Sequence, residues 1–478
     1  MKKIISLTLA VLLLLSLCAC GGSKPEEEGN NPAQTQPTAE DTLEVGFGKV
    51  NITPSYSVGL GGSGNEKIRR SEGLTSYLFA TCLAFRTAGE TYLVYTVDTL
   101  SIDETLADQL RVLIVEELPE IKLDNIFLTA THSHSCPTPY WQDNEPEGRY
   151  RNDFLVWIPQ AAKLAVRDLA PATMEVTQFH VPGMSFVRHY IMNDGTYAGD
   201  QFGDASSGYK AQTYTPDDEM ILINFPREGK EDVLLVNWAA HPSNPYDATI
   251  GYRNISADHP GWCRDKLEKL TGAKVAYFNG ASGDLDFYNY VKDENHGLLA
   301  KPYGEKLADI AYEHYQELKP VETTAIKAAT REVILTVEHE LEHLLPQAME
   351  IWEIYKTQGN KQLANQEAYK IGLGSCFHAS AIISRSRAGA TEAREVRAFS
   401  IGPVGFVAVT YEMASEHALE VKEAAPFDTV FIMSGNNRYL PREEAIDYHA
   451  YEGDTRRYTR EAADLMVKAQ LEMLNEVK

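Results

Sequence analysis

The chain has 478 residues, 44% hydrophobic and 23% charged, which is the composition of a large packed domain and excludes a disordered chain. With 68 acidic against 44 basic side chains, its formal net charge of -24 repels phosphate backbones and anionic lipid surfaces, so no nucleic-acid partner is expected.

The N-terminus reads as a targeting segment rather than fold. Lys2 and Lys3 precede an apolar run from Ile4 to Leu17, too short to span a bilayer and stay there. The run ends in Leu17-Cys18-Ala19-Cys20-Gly21, which resembles a bacterial lipobox. That resemblance implies a signal peptide over 1–19, a lipid on Cys20, and anchoring at the extracytoplasmic face of the cell membrane through acyl chains alone. Residues 20–42, rich in Gly, Ser, Pro, Asn, Gln and Glu, carry no apolar period and read as a solvated tether. Cys82, Cys136, Cys263 and Cys376 are too few for a disulfide framework and contain no CxxC pair, which leaves one or two bridges open.

From 43 to 478, strand-like and helix-like segments alternate without an internal repeat or a second linker. A single α/β catalytic domain is expected, a mixed β-sheet core with flanking helices and a metal site at strand ends. Leu43–Val50, Tyr77–Phe85, Thr91–Val97 and Asn125–Ala130 have the β-branched and aromatic content of strands. Thr105–Leu118, Phe154–Leu169, Pro302–Leu318 and Arg460–Val477 have helical spacing of apolar residues. Glu416–Glu423 and the pair Arg456-Arg457 read as solvated faces.

The chemistry is carried by where donor side chains fall. Apolar strands run directly into His132 and His134 (Thr-His-Ser-His-Ser at 131–135), into His241, into Glu412 and towards Tyr439. Ligands in open α/β sheets gather outside the carboxyl ends of strands, so if these strands share a sheet the four loops meet. A lone histidine after a strand is ordinarily a packed or capping residue; the joint occurrence is what points to a site. His132 and His134, two apart in an extended segment, would share a face, which suits a ligand beside a proton carrier. Imidazole with carboxylate is a normal donor set for zinc.

These stretches, in this order, resemble the catalytic domain of the neutral/alkaline (non-lysosomal) ceramidases. The resemblance runs through Val45-Gly-Phe-Gly-Lys-Val-Asn-Ile-Thr-Pro54, Gly59-Leu-Gly-Gly62, the Thr-His-Ser-His-Ser segment, Asn237-Trp-Ala-Ala-His-Pro242, Ser256-Ala-Asp258, Glu412, Tyr439 and Tyr451-Glu-Gly453. It implies a Zn2+ held by His132, His241, Glu412 and Tyr439, with His134 as proton shuttle and Tyr451 at the active site. Arg188 is implied to hold the substrate or its oxyanion, and Asp258 to stand in the pocket wall. Where the family has a serine cast as a nucleophile, this chain has Asp286, in Gly283-Asp-Leu-Asp-Phe-Tyr288. Asp286 is therefore expected at the substrate, and attack by metal-activated water is expected in place of a serine route. The chain also stops soon after the last motif, where ceramidases carry a further β-sandwich domain. The expected substrate is a small-molecule amide or N-acyl lipid, and magnesium or calcium on Asp258 or Asp284 stays open.

Two rival readings remain. His339-Glu-Leu-Glu-His343 satisfies HExxH, the helical zinc signature of metalloproteases, although a strand-like run leads up to it and Pro346 follows. A solute-binding lipoprotein would share the lipobox, the tether and the α/β body, and would not require the strand-end donors. Gly280-Ala-Ser-Gly283 lacks the Lys-Ser/Thr of a phosphate loop and reads as a place of close backbone approach.

Overall fold

The β-branched and aromatic runs pair into three principal sheets. The structure, a computed structural model, describes residues 42–62, 69–140, 146–243, 253–292, 299–323, 325–435 and 438–478. The signal segment, Cys20 and all of the tether but its last residue lie outside the described residues.

The first sheet has the order Ile126–Ala130, Glu90–Val97, Phe79–Thr87, Glu44–Asn51, Ala170–Pro171. The second runs Lys274–Asn279, Val233–Trp238, Glu219–Phe225, Met174–His180, Lys319–Val321, and the third Lys327–Thr336, Thr391–Ile401, Val404–Val409, Thr429–Met433. Each is antiparallel except for one edge pair: Glu90–Val97 with Ile126–Ala130, Val233–Trp238 with Lys274–Asn279, and Val404–Val409 with Thr429–Met433. The strands that lead to the site residues belong to those parallel pairs. They do not share one sheet, which corrects the single-sheet route to their convergence.

What brings the three sheets together is a common core. Phe85 meets Phe225, Phe127 meets Phe399 and Phe278 meets Phe431, one ring pair at each sheet-to-sheet interface, with centroids 5.3, 4.8 and 5.4 Å apart. Polar bonds then lock the carboxyl ends of the strands. Asn237 Nδ2 donates to the carbonyls of Phe278 (3.1 Å) and Ile432 (2.9 Å), and Ser434 N donates to Asn279 O (2.9 Å). Each buried carbonyl so satisfied removes a desolvation cost of about 1–3 kcal/mol.

The helix Glu147–Arg167 covers the outer face of the first sheet, and Gly46 and Gly48 let it approach. A Cβ at Gly48 would lie 2.1 Å from Ala161 O, and one at Gly46 2.0 Å from Ala165 O. This helix starts at Glu147, two turns before the predicted Phe154, while the other predicted elements fall close to Glu44–Asn51, Phe79–Thr87, Glu104–Glu117, Ala300–His314 and Ala462–Glu476. Three helices, Leu345–Gln358, Lys361–Lys370 and Cys376–Arg385, form a small cluster with its own apolar centre at Ile351, Tyr355, Ala364 and Ile382. All four described cysteines are buried and free. No helix among the described residues is long and apolar enough to cross a membrane.

Two charged stretches are less solvated than expected. Arg456 pairs with Glu338 (3.0 Å) and Arg457 with Glu392, with arginine side chains only 15% and 11% exposed. In the helix Ser415–Ala424, Lys422 is drawn inward by Asp217 (2.7 Å) and Glu219 (2.9 Å).

Candidate metal centre

Each donor sits on backbone leaving a buried strand. His132 follows Ile126–Ala130 and adopts φ +63, the left-handed region that costs a non-glycine residue about 1–3 kcal/mol and persists where surrounding structure enforces it. The segment is thus a turn and not extended, which corrects the two-residue alternation argument. The turn brings the His132 and His134 rings to 5.0 Å all the same. His241 follows Val233–Trp238, and the Glu412–Met413 bridge pairs in parallel with Tyr439–Leu440.

The ring orientations decide what this cluster is. His132 Nδ1 is 2.8 Å from Leu100 O and His241 Nδ1 is 3.0 Å from Ser282 O. A carbonyl only accepts, so both Nδ1 atoms carry a proton, and in the neutral ring the lone pair is left on Nε2. The Gly62 backbone holds His134 likewise. Yet His134 Nε2 lies 3.3 Å from His132 Nε2 and 3.0 Å from His241 Nε2. Burial, followed by neighbouring charges, pushes His134 and His241 well below the usual imidazole range, so protonation is disfavoured. Glu412 Oε2, buried and without a hydrogen-bond partner, adds an acceptor 3.3 Å from His132 Nε2.

Convergent lone pairs in a dry site repel unless a cation lies among them. The spacing fits one: tetrahedral donors at about 2.0–2.1 Å from a zinc ion are about 3.3 Å from each other. His132, His134 and His241 are the one group of this kind among the described residues, all three donor atoms lying within 4.8 Å of one another. The carbonyl bonds on the far side of each ring are the usual outer support of metal-binding histidines.

The remaining sequence candidates surround this cluster. Arg188, buried, donates through Nε to Glu452 (2.7 Å) and through Nη2 to Gly283 O (2.8 Å) and Tyr439 Oη (3.4 Å). Its guanidinium therefore fixes the Tyr439 phenol. Tyr451 stands edge-on to Tyr439 at 5.7 Å. Asp258 lies behind the histidine loop, accepting from Ser133 Oγ (2.6 Å), and burial pushes its carboxyl up to about 6. Asp286 is buried near Arg188, and burial outweighs that charge to push its carboxyl up to about 7. Gly283 abuts the Glu412 and Met413 carbonyls, the close approach expected of its loop.

Two supports escaped the sequence reading. Glu452, in the quoted Tyr451-Glu-Gly453 stretch, counters Arg188 and bonds His189 Nε2 (2.7 Å). Gly62, at φ +86, lies so close to His134 that a Cβ would meet the ring at 2.4 Å. The HExxH motif, in contrast, is not on an α-helix: His339 follows a strand, His343 is exposed in the single 3-10 turn Glu342–Leu344, and the α-helix Leu345–Gln358 begins only after it.

No protein-family model matches the chain, and no curated protein matches it. Solved structures do. The neutral ceramidase from Pseudomonas aeruginosa aligns with a TM-score of 0.66 at 15% identity, over 91% of this chain and 74% of that one. A structure described as ceramidase complexed with C2 aligns with a TM-score of 0.66 at 14% identity, over 91% and 75%. The fold is the mixed α/β fold of the neutral ceramidases, with a histidine cluster able to hold a metal at its strand ends. At this identity the likeness establishes the fold.

Proposed function

We propose that the protein is a zinc-dependent hydrolase of linear amides, ceramidase-like in its chemistry, acting on an N-acyl lipid or related N-acyl compound. The observation that carries this reading is the convergence of three imidazole nitrogens, with the buried Glu412 carboxylate oxygen, free of any hydrogen bond, 3.3 Å from one of them. The shared fold with the two ceramidase structures supports the amide as the bond cleaved.

In this reading His132, His241, Glu412 and Tyr439 would hold the ion, which when bound would supply Lewis acidity towards water and the scissile carbonyl. His134 Nε2 takes a proton from the attacking water and returns it to the leaving amine nitrogen. The burial that keeps His134 neutral suits it to begin as the base. Arg188 holds the Tyr439 Oη in place, and Tyr451 borders the space the substrate occupies, near the developing oxyanion. The His134 nitrogen also favours a second arrangement, in which it is itself a ligand.

N-acyl lipids, N-acyl amino acids and simple esters are to be assayed with and without chelator, on wild type, His132→Ala and His134→Ala. Expected are chelator-sensitive amide cleavage and about one zinc per chain, with both lost in His132→Ala. Zinc retained in His134→Ala with turnover reduced by about 10²–10⁴ assigns the proton carrier; zinc lost assigns a ligand. No cleavage of any amide by zinc-loaded protein would sink the activity, and a metal-free protein would restore the solute-binding reading. The proposed location is tested by fractionation: Cys20→Ala is expected to move the protein from the membrane to the soluble fraction.

A further inference from the structure

A cleft with about 200 Å³ of open volume is lined by Tyr439 and Tyr451, the helix Cys376–Arg385 and the segment around Arg456. Its lining holds four arginines, Arg385, Arg438, Arg456 and Arg457, and no carboxylate. In a chain with a net charge of -24 such a concentration of positive charge is unexpected.

Two of the four are neutralised from behind, Arg456 by Glu338 and Arg457 by Glu392. The other two are not. Arg385, 4% exposed, donates Nη1 to the Arg456 carbonyl (2.7 Å) and has no carboxylate within ion-pair distance among the described residues. The Arg438 guanidinium, half-buried, likewise has no ion pair among the described residues. Glu338 and Asp454 act on Arg385 and Glu392 on Arg438 only from beyond ion-pair distance, and burying a cation with so little direct pairing is costly unless a ligand adds counter-charge. Burial, then the neighbouring arginines, outweigh these carboxylates and push both guanidiniums below their ordinary range, Arg385 down to about 10. The cleft shares Tyr439 and Tyr451 with the candidate site. Phe377 packs edge-on to Tyr451 at 5.9 Å, and Tyr451 in turn on Tyr439 at 5.7 Å.

We infer that this cleft binds an anionic group of the substrate, held by Arg385 and Arg438, so that the amide cleaved at the metal centre carries a carboxylate or phosphate-type charge on one of its halves. This rests on the amidohydrolase reading for the word substrate, and on the arginine geometry for the anion. Paired guanidiniums recognise planar carboxylates and phosphates through two parallel N–H donors, while the aromatic wall accepts the apolar part.

The test is a calorimetric titration of the zinc-loaded full chain with N-dodecanoylglycine, N-dodecanoylglycinamide and N-dodecanoyl-phosphoethanolamine. At least one anionic ligand should bind about 10-fold or more tightly than the neutral glycinamide, as expected of a charge-assisted contact in a partly dry site. Arg438→Gln, at a half-buried position, should abolish that preference and leave glycinamide affinity and thermal unfolding unchanged; Arg385→Gln should do the same if it folds. Which anion is preferred separates the carboxylate from the phosphate source. Equal affinity for charged and neutral ligands, or a preference that survives Arg438→Gln, overturns the inference. Anion preference without turnover of any amide would sink the hydrolase reading and leave the anion site standing.

Discussion

Glu452 is 2% exposed and still ionised. Burial alone pushes its carboxyl up, but the charges of Arg188 and His189 and the bond from His189 prevail, holding it at about 2 instead of near 4.5. A depressed carboxyl contributes stability that is complete above its unfolded value and drains away as pH falls from about 4.5 towards 2, here about 3 kcal/mol. Urea unfolding across pH 7 to 2 should show this acid limb. Glu452→Gln should lose about 3–5 kcal/mol at pH 7, because Arg188 is left buried without its partner, and should have a shallower limb below pH 4.5. An unchanged midpoint at pH 7 would mean that the pair is not what fixes Arg188. At this scale the sequence was informative about identity and poor on role. His132, His134, His241 and Glu412 were legible because each ends an apolar run. That Asp258 props the loop from behind was not, since its partner Ser133 is 125 residues away.

Among the elements, the strand Glu44–Asn51 and the helix Glu147–Arg167 show why a motif glycine is needed. Gly48 sits under Ala161 and Ala165, where a methyl group would meet the helix backbone at 2.1 and 2.6 Å. Gly48→Ala should therefore force the helix off the sheet and cost about 1–3 kcal/mol in thermal unfolding; stability equal to wild type would show that the helix has room to shift. Strand Leu43–Val50 was readable from its β-branched and aromatic residues, whereas the two turns of Glu147–Phe154 were not, because their polar residues interrupt the apolar spacing. The helices of 345–385 likewise bury a core of their own, so their pattern gives no sign of what they border.

For the whole molecule, the decisive fact is that the histidine cluster draws on two sheets, while Glu412 beside it follows a strand of the third. A cation bound there ties together strands that global unfolding separates, so binding and folding are linked. Zinc at 100 times its dissociation constant should stabilise the protein by about 2.7 kcal/mol, seen as a rise in unfolding temperature that EDTA reverses and His132→Ala abolishes. A zinc response that persists in His132→Ala would place the metal elsewhere. The chain alone determined the class of the fold, most strand and helix positions, and the strand-end placement of the donors, because periodicity and turn residues are local properties. Only the tertiary structure decided that strands of separate sheets bring the histidines and Glu412 together, that residue 132 turns in the left-handed region, and that Arg385 and Arg438 line a cleft without an ion pair among the described residues. Those features depend on contacts between residues far apart in the chain, which no local pattern encodes.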